Sequence, residues 1–178
     1  MEIQRKSLTQ LFVPICFETL FYMLSGMVDT LMLSSVSDQA VGAVGTANTY
    51  IGVFIIMFGV ISSGMVAVMT QNIGAGKPGV AYQARQLGLI FNAVVGVMMS
   101  VFLAVFSGKI LEIVSIAPAL FTPAETYLKI VGGACFLNAL IPIFSSYLRV
   151  FGYTRQSLLA SITGNIINFI LNSVFLFV

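Results

Sequence analysis

From Gln39 to Gly76 the chain runs for 38 residues without a charged side chain. About 20 apolar residues in a helix, rising 1.5 Å each, cover the hydrocarbon core of a bilayer. The run exceeds what one crossing needs, and it lacks the charged face a soluble helix would turn to water. A second run, 23 uncharged residues, separates Arg85 from Lys109. Only 8% of residues are charged and 58% are hydrophobic, with mean hydropathy +1.03. Ordinary soluble domains carry about 25% charge, so a soluble globule is excluded. The chain reads as all-α, a polytopic transmembrane helix bundle in contact with membrane lipid. Its net charge of +2, scattered along the chain, implies no nucleic-acid partner. Cys16 and Cys135 fall within apolar runs and read as small hydrophobes. The first residues, MEIQRKSLTQ, look like the start of a signal sequence, but the apolar run that follows exceeds 7–15 residues and no A-x-A site ends it. It reads as an uncleaved span.

Charges and turn residues place five spans, about 8–36, 46–72, 85–106, 123–147 and 156–178, in a single transmembrane domain over residues 1–178. Ser37 or Asp38 is expected to cap the second helix, which starts in the headgroup layer ahead of its crossing. Its glycines (Gly42, Gly45, Gly52, Gly59, Gly64) suit close helix contact. GAGKPG ends it as a turn; a phosphate loop would need Gly at Gln71 and Ser or Thr at Pro78. SGKILEIVSIAP reads as a connection. Thr122, Pro123 and Glu125 then form the N-cap, first-turn proline and capping-box acid of the fourth helix, and Glu125 pairs with Lys129. Pro142 interrupts that helix and frees the carbonyl of Asn138. Arg5, Lys6, Lys77, Arg85, Arg149 and Arg155 all fall on the N-terminal side, against Lys109 and Lys129 on the other. The positive-inside rule puts the N-terminus in the cytoplasm, for a multi-pass protein of the plasma membrane.

The first span carries two acids. Inside a bilayer an ionised carboxylate costs about 2.5–3.5 kcal/mol on insertion scales, which makes each a functional candidate by default. Glu18 and Asp29 are 11 residues apart, about three turns and 20°, so they share a face. Either could instead be a structural hydrogen-bonding acid. Pro14 cannot donate its N–H and clashes with the carbonyl of Gln10, so it is a kink or a hinge. In the last span Ser161, Asn165, Asn168 and Asn172 follow spacings of 4, 3 and 4, one helical stripe. The amides suit bonding between helices, at about 0.6 kcal/mol each, or ligation of a hard cation by carbonyl oxygens.

Pro14-x-x-x-Glu18, GMVDTLML around Asp29, GAVGTAN, QNIGAGKP, YLRVFGYTRQS and GNIINFILN together resemble the multidrug and toxic compound extrusion (MATE) family, in order and over essentially the whole chain. The resemblance implies a twelve-helix antiporter of two six-helix lobes, exporting cationic or amphipathic drugs and toxins in exchange for Na⁺ or H⁺. It assigns Asp29 to the first-helix coupling acid, Asn168 to an ion-site asparagine, and Pro14 to the proline whose helix bends when that acid changes state. Where many prokaryotic members carry an aspartate, this chain has Asn172, so the cation-coupling set Asp29, Asn168 and Asn172 holds one negative charge fewer. A candidate Na⁺ position lies at Asp29 and Asn168. Glu18, Asn165 and Asn138 are the secondary intramembrane polar groups. Five spans form an incomplete lobe, so the expectation is a fragment of a longer transporter whose partner is the missing second lobe.

On this reading a proton or Na⁺ at Asp29 changes its bonds to the fifth-span amides and biases the first helix between straight and bent forms. No cofactor is expected beyond that coupling ion. Two alternatives stand beside the antiporter. A lipid-linked-sugar flippase of the wider superfamily would want a wide cationic cavity, whereas the intramembrane charges here are acidic. A truncated, non-transporting membrane fragment is the other. The chain has no His, no nucleophile–base pair and no metal-ligand cluster, so it is not read as an enzyme.

Overall fold

The computed structural model of the chain describes residues 7–177; Arg5, Lys6 and Val178, which enter the orientation and last-span readings, lie outside the described residues. Six helices follow in order, α1 Leu8–Ser34, α2 Asp38–Gly74, α3 Pro78–Ile113, α4 Pro118–Gly133, α5 Cys135–Val150 and α6 Thr154–Phe177, with no strand among the described residues. Four are long and apolar enough to cross a membrane, and α4 with α5, bent by 45°, would make a fifth as one broken span. The fold is a partial all-α transmembrane bundle of a multi-pass membrane protein. The described helices form two compact units, residues 42–147 in one and residues 7–41 with 148–177 in the other.

In the first unit, α3 presents a stripe at Gly88, Asn92, Gly96, Ser100, Leu103, Ser107 and Leu111, all buried, at the three- and four-residue steps of one helix face. The stripe meets Ala43, Ala47, Ile51 and Phe58 of α2, Ala124 and Leu128 of α4, and Cys135 and Ala139 of α5 in one apolar core. Side-chain hydrogen bonds tie the helices together. Asn92 Nδ2 donates to the carbonyls of Phe58 (3.3 Å) and Ala139 (2.9 Å). Ser62 donates to the carbonyl of Pro142 and bonds the Ser146 hydroxyl, both at 2.8 Å. The Phe136 N–H, an orphan donor in the first turn of α5, donates to Ser100 Oγ at 2.7 Å.

Several expectations need correction. The connection expected from Ser107 is helical up to Ile113, because Ser107 and Leu111 continue the buried stripe and hold the helix beyond Lys109. The fourth helix starts at Pro118, not at the Thr122–Pro123 pair. Pro118 already meets the first-turn preference for proline, and Pro123 is tolerated inside the helix. Glu125 therefore caps nothing, although its pairing with Lys129 is present at 2.7 Å. The interruption of the fourth span falls after Gly132–Gly133 rather than at Pro142, which sits inside α5; adjacent glycines carry no side chains to hold a helix straight. The glycines expected to make close contacts are the wrong ones. A Cβ on Gly45, Gly52, Gly59 or Gly64 would meet nothing within 4 Å, and only Gly42 approaches a neighbour, Leu120 at 3.3 Å. The tight approaches are in α3 and α4. A Cβ on Gly96 would stand 2.7 Å from the Ala139 Cβ and 3.2 Å from the Phe136 Cα, and one on Gly132 would be 3.0 Å from Leu103.

Ser37 caps α2 as expected, accepting from the Ala40 N–H at 3.0 Å. The GAGKPG segment is a turn: Gly76 takes φ +70°, a conformation glycine adopts at no steric cost, and the Lys77 N–H returns to the Asn72 carbonyl at 2.8 Å.

The second unit holds the acids. Ser7 and Gln10 form a reciprocal capping box at the start of α1, a Ser-x-x-Gln signal present in the sequence. Pro14 lies inside α1 and is buried. Gly152, at φ +82°, turns the chain between α5 and α6, with the Tyr153 N–H donating to the Leu148 carbonyl at 2.8 Å.

Candidate functional site

α1 and α6 face each other along their length. Glu18 Oε1 accepts from Ser157 Oγ at 3.0 Å, the Phe21 carbonyl from Asn165 Nδ2 at 3.5 Å, and Asp29 Oδ1 from Asn172 Nδ2 at 2.9 Å. The partners advance together along both helices, so the two run in the same direction. Both acids of α1 reach α6, as their 11-residue spacing requires, and the structure brings together Asp29, Asn168 and Asn172. The Asn172 amide donates at once to Asp29 Oδ1 and, at 3.2 Å, to Asn168 Oδ1. Two oxygens thus converge on one NH₂ group. Turning that amide over would offer a third oxygen. Asp29 is half-buried and Asn168 exposed. Among the described residues Asp29 has no cationic partner, and no cluster of three or more His, Cys, Asp and Glu exists.

Glu18 sits differently. It is 8% exposed and pairs with Arg149 Nη2 at 2.9 Å. Its second oxygen, Arg149 Nε and Thr154 Oγ1 are buried without a hydrogen-bond partner. In the sequence Arg149 counts toward the orientation and, with Ser157, falls in the YLRVFGYTRQS segment, with nothing there to pair either with Glu18. A positive charge three residues before the Gly-Tyr of the turn is a weak signal, since loops commonly carry one. Ser161 of the polar stripe makes no hydrogen bond to α1. Asn138 is half-buried on α5 in the other unit and bonds the Cys135 side chain. Beside Pro14 a groove of about 480 Å³ runs between Gln10, Pro14 and Phe17 of α1 and Arg155, Leu158 and Leu159 of α6. A hinge at Pro14 would have space on this side.

Chemically, the arrangement offers one intramembrane carboxylate and two amides able to exchange a hydrogen-bonded NH₂ for a hard cation or a proton.

Comparison with known proteins bears on the same residues. The MatE family model matches residues 14–174, from the α1 proline to just past the amide stripe. An uncharacterized transporter of Bacillus subtilis, YisQ, is 33% identical over 171 residues, which are 96% of this chain and 38% of that protein. The probable multidrug resistance protein NorM of Thermotoga maritima is 29% identical over 185 residues, covering 97% of this chain and 37% of that protein. The chain thus spans well under half the length of these relatives. Among solved structures, a MOP-superfamily transporter from Pyrococcus furiosus superposes with a TM-score of 0.86 at 18% identity, over 95% of this chain and 37% of its own. At that identity the likeness speaks for the fold alone. With the family model matching nearly the whole chain, and with the same helix order in a solved transporter, the chain belongs to the MATE family.

Proposed function

We propose that this chain is the greater part of one lobe of a secondary antiporter that exports cationic or amphipathic drugs in exchange for Na⁺ or H⁺. The observation that carries it is Asp29, a carboxylate within a membrane-spanning helix whose only hydrogen-bond partner among the described residues is an amide that also holds Asn168. Such acids are rare and costly in bilayers, and pair with whatever they handle. When a proton or Na⁺ neutralises Asp29, the Asn172 NH₂ loses its better acceptor, the Asp29–Asn172 link between α1 and α6 weakens, and α1 is free to change shape. Pro14, on the same helix and beside the groove, supplies the point of least backbone resistance. The names of the relatives, a probable multidrug resistance protein among them, support the substrate class. Rocking transport of this kind needs two lobes around a midplane site, and the chain's 38% share of its YisQ relative supports a second lobe as its partner. The lysine and arginine distribution supports a cytoplasmic N-terminus in the plasma membrane.

The test is drug efflux by the complete transporter in proteoliposomes carrying an imposed Na⁺ or H⁺ gradient. Asp29→Asn is expected to abolish gradient-driven efflux while leaving the protein folded. Efflux and ion coupling at wild-type rates would end the proposal.

A further inference from the structure

The two acids of α1 differ in what neutralises them. Among the described residues of their unit the cations are Arg149 and Arg155. Arg149 is on Glu18, Arg155 is exposed at the rim of the groove, and Asp29 has only an amide. We propose that Arg149 is a positioning residue, a tethered counter-ion to Glu18, so that of the two acids only Asp29 is left to an exchangeable cation. The proposal rests on the reading of Asp29 given above.

Local structure explains why the pairing is permanent rather than incidental. The turn at Gly152, closed by the Tyr153 N–H on the Leu148 carbonyl, brings the last turn of α5 and the first turn of α6 to one point. There Arg149 Nη2 and Ser157 Oγ meet the same oxygen of Glu18, at 2.9 and 3.0 Å. A guanidinium is a planar fork suited to a carboxylate, and its covalent attachment keeps this cation at hand. A carboxylate as buried as Glu18 needs such a partner. The groups facing it are Arg149 from the α5 end and Ser157 from α6. On α1 itself the nearest described charge is Asp29, about 16 Å along the helix. The contact is one-pronged: Glu18 Oε2 and Arg149 Nε are buried without partners. Were the guanidinium removed, Glu18 would keep only the Ser157 hydroxyl on Oε1 and nothing on Oε2, and the site would have to take up a proton or a metal cation to stay buried. One charge on Arg149 therefore sets how many carboxylates of this helix exchange ions.

The experiment counts exchangeable cations on the complete transporter in detergent, by equilibrium dialysis with radioactive Na⁺ and by the carboxylic-acid C=O band in infrared difference spectra across a pH change. Relative to wild type, Arg149→Gln is expected to add one exchangeable cation, which Glu18→Gln on the same background removes again. Arg149→Lys keeps the wild-type count. With Arg149 intact, Glu18→Gln leaves the count unchanged, whereas Asp29→Asn lowers it by one. The proposal is overturned if Arg149→Gln adds none, or if Glu18→Gln alone lowers the count, which would make Glu18 an exchange site in its own right and stands even should Arg149→Gln fail to fold. A count insensitive to Asp29→Asn overturns the Asp29 reading instead, so the two failures are told apart.

Discussion

Asn92 illustrates what one polar side chain does in a bundle that has no hydrophobic drive between its helices. In lipid, association rests on packing and hydrogen bonds, and the two donors of this amide go to carbonyls on two different helices, α2 and α5. Asn92→Ala is expected to destabilise the protein by about 1–3 kcal/mol, the loss of two bonds plus a small cavity. Reversible unfolding in mixed micelles measures it, and a change within error of zero would show that the freed carbonyls find other partners. Asp29 and Glu18 differ from Asn92 because each carries a charge, and they differ from each other by one arginine. Breaking a buried ion pair leaves an uncompensated charge and costs about 3–5 kcal/mol. Arg149, with its side chain 35% exposed, belongs at the low end of that range.

At the scale of elements, α3 is the helix around which its unit is built, and small residues let it be so. Gly96 allows the backbone of α5 to approach at Phe136 and Ala139, close enough for Asn92 to reach the Ala139 carbonyl. Gly96→Ala is expected to cost about 1–3 kcal/mol, since the added methyl meets backbone and a Cβ that cannot turn aside. Gly64→Ala, with open space around it, is expected to cost nothing. Thermal stability of the two variants in the same detergent compares them directly; equal melting would remove the close approach of α3 and α5 as a determinant. The α4–α5 pair shows a second device. Gly132–Gly133 breaks the span, and Ser100 from α3 then supplies the acceptor that the new helix start lacks. α1 and α6 are joined differently, by polar contacts spaced along two helices of the same direction, and theirs is the contact that the proposed ion would alter.

For the whole molecule, the arrangement across the membrane is the property to test. Lys77 in the α2–α3 turn is expected to face the cytoplasm and Lys129 the outside. In cells expressing the complete transporter, with Cys16 and Cys135 replaced by Ser, a membrane-impermeant thiol reagent is expected to label Lys129→Cys and to spare Lys77→Cys until the membrane is permeabilised. The reverse pattern would invert the topology. Much of this scale is legible in one dimension: uncharged runs longer than a bilayer is thick admit no structure but helices whose backbone bonds close within the segment. The shared face of Glu18 and Asp29, and the amide stripe from Asn165 to Asn172, follow from helical periodicity alone. Helix ends were harder to read. Lys109 reads as the close of a span, but the helix runs on because Ser107 and Leu111 are buried on its packed face, Leu111 in one core with Ala124 and Leu128 of α4. Close glycine contacts depend on which face meets a neighbour, and composition is silent about that. Local chemistry and period, short-range properties of the chain, thus determined the class, the helices and the faces. Only the tertiary structure decided that Arg149, 131 positions beyond Glu18, is its cation and that Asp29 has none among the described residues, because a pairing between distant residues depends on where the turn at Gly152 sets the end of α5.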